Sequence, residues 1–476
     1  MNINENSRMI LKIEKLSQGG DGIARIPAVG TEGRDYVVFV PYSAPGDEVE
    51  VQILEKKNSY ARAKIIRVVQ PSSQRVTPQC SHFFVPNQSI SCGGCDFQHL
   101  NYADQTHEKE NNVRETLQKI GGFSQPNVLP IIGIAENAWH YRNKVQVPFS
   151  KNKKNEIVAG FYAPQSHEIV PMKDCWIQSQ PMTELVHFVR QKMQNLRLDP
   201  YSEKTHRGWL RHLLVRESFS DKKIHLVFVT AKDFFPKFRD WIEPLRARFP
   251  QLAGVSQNIN MQHTNVILGR KWKLLWGKDY LVESLNQLGK QKMNLKLKIS
   301  TGSFFQVNTP MAEKLYSTVQ QFALESKERD LFMDLYCGVG AIALSCASYF
   351  NRVIGVEEAV SSIHDAQENA RNNGFINCEF ICKQVHSFLP FFQSKMSSSK
   401  ITMVVDPPRS GCEPYVVKEI LRIQPHRVIY VSCDPSTLAR DLKILCGQGG
   451  YQLKKVQPFD LFPQTAHVES VAVLEK

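Results

Sequence analysis

Leu331-Phe332-Met333-Asp334-Leu335-Tyr336-Cys337-Gly338-Val339-Gly340 decides the fold of this chain. An apolar run that ends near an acid and then meets two glycines reads as a buried strand turning tightly into a helix. The pattern then repeats. Strand-like runs at 331–336, 353–356, 378–382, 401–405 and 428–432 alternate with helix-like stretches at 340–350, 361–373, 414–424 and 436–446. Strand then helix, several times over, implies right-handed crossovers and an α/β fold built on a doubly wound parallel sheet. Such a sheet binds ligands at the carboxyl ends of its strands. The chemically distinctive residues fall on that rim. Asp334, Tyr336 and Gly338 follow the first strand, Glu357 the second, Asp406-Pro407-Pro408-Arg409 the fourth and Cys433 the fifth.

Gly338-Val339-Gly340-Ala341-Ile342-Ala343 lacks the third glycine of a dinucleotide-binding turn, which disfavours a pyrophosphate grip. Glu357 closes Val353-Ile354-Gly355-Val356, where an acid accepts hydrogen bonds from ribose hydroxyls. Together they suit the nucleoside of S-adenosylmethionine. Ser432-Cys433-Asp434-Pro435-Ser436-Thr437 places a thiol between a strand and a helix whose first turn contains Pro435. The positive end of the helix dipole is expected to lower the thiol pKa and favour nucleophilic attack. A small buried core cysteine is the plain alternative.

A chain of 476 residues, 42% of them hydrophobic, has room for two or three domains. Residues 1–8 hold no apolar stretch of the signal-peptide kind, and no run approaches the ~18 apolar residues of a membrane span. A cytoplasmic protein without a membrane partner is expected. The formal net charge of +13 is concentrated in the middle, where residues 81–290 carry 28 lysines and arginines against 19 acids. Arg142, Lys144, Lys151, Lys153, Lys154, Arg207, Trp209, Arg211 and Arg216 mix cations with an aromatic there. Such a surface suits a polyanion whose phosphates it neutralises and whose unstacked bases it stacks upon; a solvated basic face is the alternative, and charge alone does not identify RNA.

Residues 1–70 alternate short strand-like runs with turns, as a small OB-type β-barrel does. Pro71-Ser72-Ser73 follows as a linker. Residues 71–290 read as a mixed α/β central domain. It contains a helix over about 101–121, ended by Gly121-Gly122 and expected to pack on the catalytic domain, and a basic turn at 150–155. Residues 291–476 form the third domain. There is no internal repeat, and the only low-complexity stretch is Ser397-Ser398-Ser399.

Five motifs occur in order: Ser303-Phe304-Phe305-Gln306-Val307-Asn308, Asp334 to Gly340, Asp406-Pro407-Pro408-Arg409, Ser432-Cys433-Asp434-Pro435, and Phe462-Pro463-Gln464-Thr465-Ala466-His467-Val468-Glu469. With them the chain resembles the RNA uracil-5-methyltransferase family, and its N-terminal barrel resembles that family's TRAM domain. The resemblance implies a class I S-adenosylmethionine methyltransferase domain of Rossmann-like fold. It implies that Gln306, Tyr336, Glu357 and Asp406 contact S-adenosylmethionine, that Cys433 is the nucleophile and that Glu469 is the base. Ala341 stands where the family often has a polar residue, and Gln384 is the nearest candidate for the family's polar contact after the third strand. Phe304 or Phe305 is a candidate to stack on the uracil.

Cys80, Cys92, Cys95 and Cys175 lie apart from these motifs. Disulfides are improbable in a cytoplasmic protein. Cys92-Gly93-Gly94-Cys95 has metal-ligand spacing, and the four thiols suit either zinc or a four-iron cluster, with His82 or His99 as substitutes in a zinc site. Reduced structural thiols are the alternative. The family resemblance implies a [4Fe–4S] cluster on these four cysteines, with residues 83–91 inserted between the first two. The TRAM-like domain and the cysteine set resemble the ribosomal branch of the family, which implies 5-methyluridine formation in 23S rRNA by a monomeric enzyme. Transfer RNA methylation, amino-group methylation of a nucleobase and a non-catalytic RNA-binding role are the competing expectations.

Overall fold

The computed structural model describes residues 4–27, 35–88, 90–392 and 400–476; the serine run 397–399 lies outside them. The C-terminal region builds the doubly wound sheet anticipated above. Its seven strands lie in the order Cys378–Cys382, Arg352–Glu357, Leu331–Leu335, Ile401–Val405, Arg427–Ser432, Glu469–Glu475, Gln452–Phe459. The first five are parallel; the inner four are short, largely buried apolar runs because helices cover both faces, whereas the edge strand Cys378–Cys382 buries only Phe380. Strand order reverses on either side of Leu331–Leu335, which opens a crevice at its carboxyl end.

The last two strands form an antiparallel hairpin that the alternating pattern did not announce. Glu469–Glu475 runs antiparallel to both Arg427–Ser432 and Gln452–Phe459. Beyond it, the edge strand is covered by residues 127–132. Leu129 N–H donates to the Val456 carbonyl at 2.9 Å and Ile132 N–H to that of Pro458 at 3.0 Å. A second hairpin, Tyr280–Leu288 with Met293–Ser300, contributes Leu285, Leu288, Leu295 and Leu297 to the same core. Its first strand lies before residue 291, so a boundary at 290 divides the hairpin.

Residues 8–70 form a six-stranded sheet curled around Leu11, Val38, Val49, Val51, Ile53 and Ile65. In Glu48–Ile53 every second residue is buried, the signature of a strand with one face on a core. The central region builds a seven-stranded mixed sheet from Lys144 to Gly277, backed by helices Gln180–Asn195 and Phe238–Arg248. The expected helix is present as Tyr102–Lys119, capped by Asn101, whose side chain accepts from Asp104 N–H. Lys109 on that helix is buried and donates to Asp460 at 2.5 Å. Among the described residues no helix is long and apolar enough to cross a membrane.

Three of the residues expected on an RNA-facing surface are buried. The Arg211 guanidinium donates to the carbonyls of Asn260 and Gln262, and that of Arg216 to the carbonyls of Ser300 and Ser303. Trp209 belongs to the core of the central sheet. Backbone carbonyls attract these cations inward and bind their terminal nitrogens without RNA, although Arg211 Nε has no partner among the described residues.

Candidate active site

The turn after Leu331–Leu335 is built for close backbone approach. Asp334 is fully buried at its base. One carboxylate oxygen accepts from Ala343 N–H at 2.9 Å in the next helix, and the other has no partner among the described residues. Burial, reinforced by Asp406, holds the Asp334 carboxyl well above the usual range. Tyr336 adopts a left-handed φ of 67°, a strained conformation for an aromatic residue. Gly340, at φ 84°, leaves no room for a side chain, because a Cβ would lie 3.0 Å from the Phe380 ring. Gly338 faces open space. Glu357 holds the turn in place by accepting from the N–H groups of Gly338 at 3.2 Å and Ala359 at 2.9 Å.

Gln306 is buried on the same side, and its carbonyl accepts from Asn143 Nδ2 at 3.0 Å. Asn143 also donates to Thr309 Oγ1 at 2.9 Å, which ties the central sheet to the Ser303–Asn308 motif. No sequence pattern marks that asparagine. Gln384 is exposed and donates to Glu358 at 3.1 Å. The two phenylalanines separate: Phe305 is core, and Phe304 is 61% exposed. Neither lines the cavity beside Cys433.

The register of the antiparallel hairpin explains how the thiol and its partner acid meet. Ser432 pairs with Ser470, so the next residues outward, Cys433 and Glu469, sit side by side where the strands end. Asp406 and Arg409 come from the loop after Ile401–Val405. The Arg409 guanidinium faces the Cys433 sulfur and lies 3.1 Å from His467 Nε2. Burial pushes the Asp406 carboxyl up to about 7. Burial, then the Asp406 charge, pushes Glu469 well above its usual range, with Arg409 opposing. His467 is pulled down to about 4 by burial and then by Arg409, so its ring is neutral at pH 7.

The expected depression of the Cys433 pKa is not what the fold provides. Burial, then Glu469, pushes this thiol up to about 11, and Arg409 is the group that lowers it. The helix end is already answered by Asp434, whose carboxylate accepts from the N–H groups of Ser436 at 2.8 Å and Thr437 at 3.1 Å. Activation of the sulfur therefore depends on the neighbouring guanidinium more than on the helix.

A cavity of about 920 Å³ opens beside Cys433. Arg142, Lys144 and Arg409 line it, as do Gln18 and Gly19 from a turn of the N-terminal barrel. Cys80, Cys92, Cys95 and Cys175 also line this cavity, each thiol raised chiefly by burial. They do not converge on one point: among the described residues no three His, Cys, Asp or Glu side chains form a metal-holding group. His82 also lines the cavity, whereas His99 is 3.2 Å from the Ser43 carbonyl and faces away.

A family model described as tRNA (Uracil-5-)-methyltransferase matches residues 243–476, and one for the TRAM domain matches residues 4–66. A protein of Oceanobacillus iheyensis described as an uncharacterized RNA methyltransferase is 38% identical over 473 residues, spanning 99% of this chain and 97% of its own. One of the same description from Halalkalibacterium halodurans is 36% identical over 99% of this chain and 98% of its own. Among solved structures, the Pyrococcus abyssi tRNA (uracil-54, C5)-methyltransferase in complex with S-adenosyl-L-homocysteine superposes with a TM-score of 0.73. It is 26% identical and covers 98% of this chain and 99% of that one. Relatives spanning the whole length, together with two family models in the expected order, place this chain in the RNA uracil-5-methyltransferase family, in the form that carries a TRAM domain.

Proposed function

We propose that this protein methylates carbon 5 of uracil in RNA, with Cys433 forming a transient bond to carbon 6. The adjacency of Cys433 and buried Glu469, set by the Ser432–Ser470 register, carries the proposal. Carbon 5 of uracil is a weak nucleophile. Addition of the Cys433 thiolate to carbon 6 moves the C5–C6 electron pair toward O4, and the resulting enolate lets carbon 5 attack a methyl group. Arg409 favours the thiolate for this addition. Carbon 5 then carries both the new methyl and its original proton. Glu469 takes that proton, the C5–C6 double bond returns, and the thiolate leaves. A desolvated carboxylate is a stronger base than an exposed one, which suits the role.

Gln306, Tyr336, Glu357 and Asp406 are proposed to hold S-adenosylmethionine, which supplies an electrophilic methyl group when bound. The open face at Gly338 and the carboxylate of Glu357 fit a nucleoside at that rim. Cys80, Cys92, Cys95 and Cys175 are proposed to hold a [4Fe–4S] cluster, with zinc as the alternative. That all four line one cavity supports the proposal, although as placed they form no metal-holding group among the described residues, and no step of methyl transfer passes through such a group.

The proposed substrate is a uridine of 23S rRNA, on the resemblance of the TRAM domain and cysteine set to the ribosomal branch. Transfer RNA is the second possibility, favoured by the match to an archaeal tRNA enzyme along 98% of the chain. Mass mapping of RNA from a strain lacking this protein decides between them. Loss of 5-methyluridine from 23S rRNA is expected, and loss from tRNA alone moves the assignment. If neither RNA loses the mark, uracil methylation is refuted.

A further inference from the structure

The loop Asp460–Val468 delivers Glu469 to the site, and residues outside the methyltransferase sheet hold it along its length. Lys109 donates to Asp460 at 2.5 Å and to the Phe462 carbonyl at 3.0 Å. Tyr141 Oη donates to the Pro463 carbonyl at 3.1 Å. Gln105 and Gln464 bond reciprocally: Gln105 Nε2 donates to Gln464 Oε1, and Gln464 N–H donates to Gln105 Oε1, both at 3.0 Å.

A further grip comes from the two residues after Cys95. The N–H groups of Asp96 and Phe97 both donate to the Gln464 carbonyl at 2.9 Å. In return, Ala466 N–H donates to Asp96 Oδ2 at 3.0 Å. Gln464 is held at a φ of 69°, a conformation that a non-glycine residue keeps only under such restraint. Phe462, Thr465, Ala466 and His467 of this loop line the cavity beside Cys433, as does Asp96 itself. The cysteine segment thus meets the active site through three hydrogen bonds, two between backbone groups and one to the Asp96 side chain.

We infer that Asp96 is a positioning residue for proton abstraction: through Ala466 and Gln464 it holds the loop that aims the Glu469 carboxylate at carbon 5. The inference rests on the methylation mechanism proposed above. It adds a role for the cysteine segment that needs no electron transfer. Loosening the loop misplaces the base while leaving Cys433, which sits on a different strand end, free to add to the ring. The addition and methyl-transfer steps then proceed, and the methylated RNA stays bonded to the protein because its C5 proton remains.

The test compares Asp96→Ala, which removes the acceptor, with Asp96→Asn, which keeps an oxygen there. Full-length protein is mixed with transcribed 23S rRNA, or transcribed tRNA in a parallel arm, and radiolabelled S-adenosylmethionine. Single-turnover release of methylated RNA, denaturation-stable RNA–protein adduct and RNA Kd are followed. Asp96→Ala should slow release about 10- to 100-fold, the cost of an ångström-scale misplacement. Labelled adduct should accumulate, Kd should stay within about twofold, and Asp96→Asn should recover most of the rate. If Asp96→Ala fails to fold, Gln105→Ala probes the same loop away from the cysteines and should show the same stall. Unchanged release, slow release without adduct, or no recovery by Asp96→Asn overturns the positioning role. Wild-type protein that methylates neither RNA refutes the mechanism itself, an outcome distinct from those three.

Discussion

Replacing Glu469 by Gln separates the two halves of the reaction and gives opposite signs in two assays. The side chain is 2% exposed, and burial together with Asp406 holds its carboxyl well above the usual range. A carboxyl raised in the folded state costs stability as pH climbs above its unfolded value, and the cost stops growing once pH passes the folded value. Glutamine carries no charge to bury. The variant should therefore melt close to wild type near pH 4 and above it at pH 8, with the gap opening between. The same substitution lifts one of the charges that raise the Cys433 thiol, so addition to carbon 6 should be as fast as in wild type or faster. Loss of the base should slow release of product about 10²- to 10⁴-fold, the usual contribution of a positioned general base, or roughly 3–5 kcal/mol of barrier. Thermal melting across pH and single-turnover assays with labelled methyl donor measure both. Wild-type turnover would remove Glu469 as the base, and a lower melting temperature at pH 8 would refute the electrostatic account of its burial.

Cys433→Ala should abolish the stable adduct that wild type forms with RNA containing 5-fluorouridine; an adduct that persists in gel analysis points to another nucleophile. Lys109→Met leaves buried Asp460 without its cation, and one Asp460 oxygen already has no partner among the described residues. Chemical denaturation should show a loss of about 3–5 kcal/mol, far more than any surface lysine costs. RNA affinity should fall as salt rises, since Arg142, Lys144 and Arg409 in the cavity can displace counterions from phosphates. A salt-independent Kd in filter binding would argue against that cavity as the RNA site.

The parallel core was legible because strands buried on both faces read as unbroken apolar runs, and Asp334, Glu357, Asp406 and Cys433 all fall where those runs stop. The final hairpin was not, since its register depends on pairing partners some 40 residues earlier in the chain. Asn143 and the Lys109–Asp460 pair have no local signal, because each partner lies more than 160 residues away. Charge misled at Arg211 and Arg216, whose attraction to buried carbonyls outweighs their attraction to water. For Cys433 the helix end was visible in the sequence, but the competing carboxylate of Glu469 and the depth of burial were not.

The strip of chain at 127–132 that covers the edge strand Gln452–Phe459 bears on how this protein can be divided. A fragment beginning at 291 would present that edge bare, with Val456 and Pro458 offering unanswered backbone groups to any passing strand. It would also strand Asp460 in the interior without the lysine that neutralises it. The catalytic unit is consequently not modular. It borrows a helix and a sheet margin from the region ahead of it, so the last third of the chain cannot be cut away as a self-sufficient folding unit.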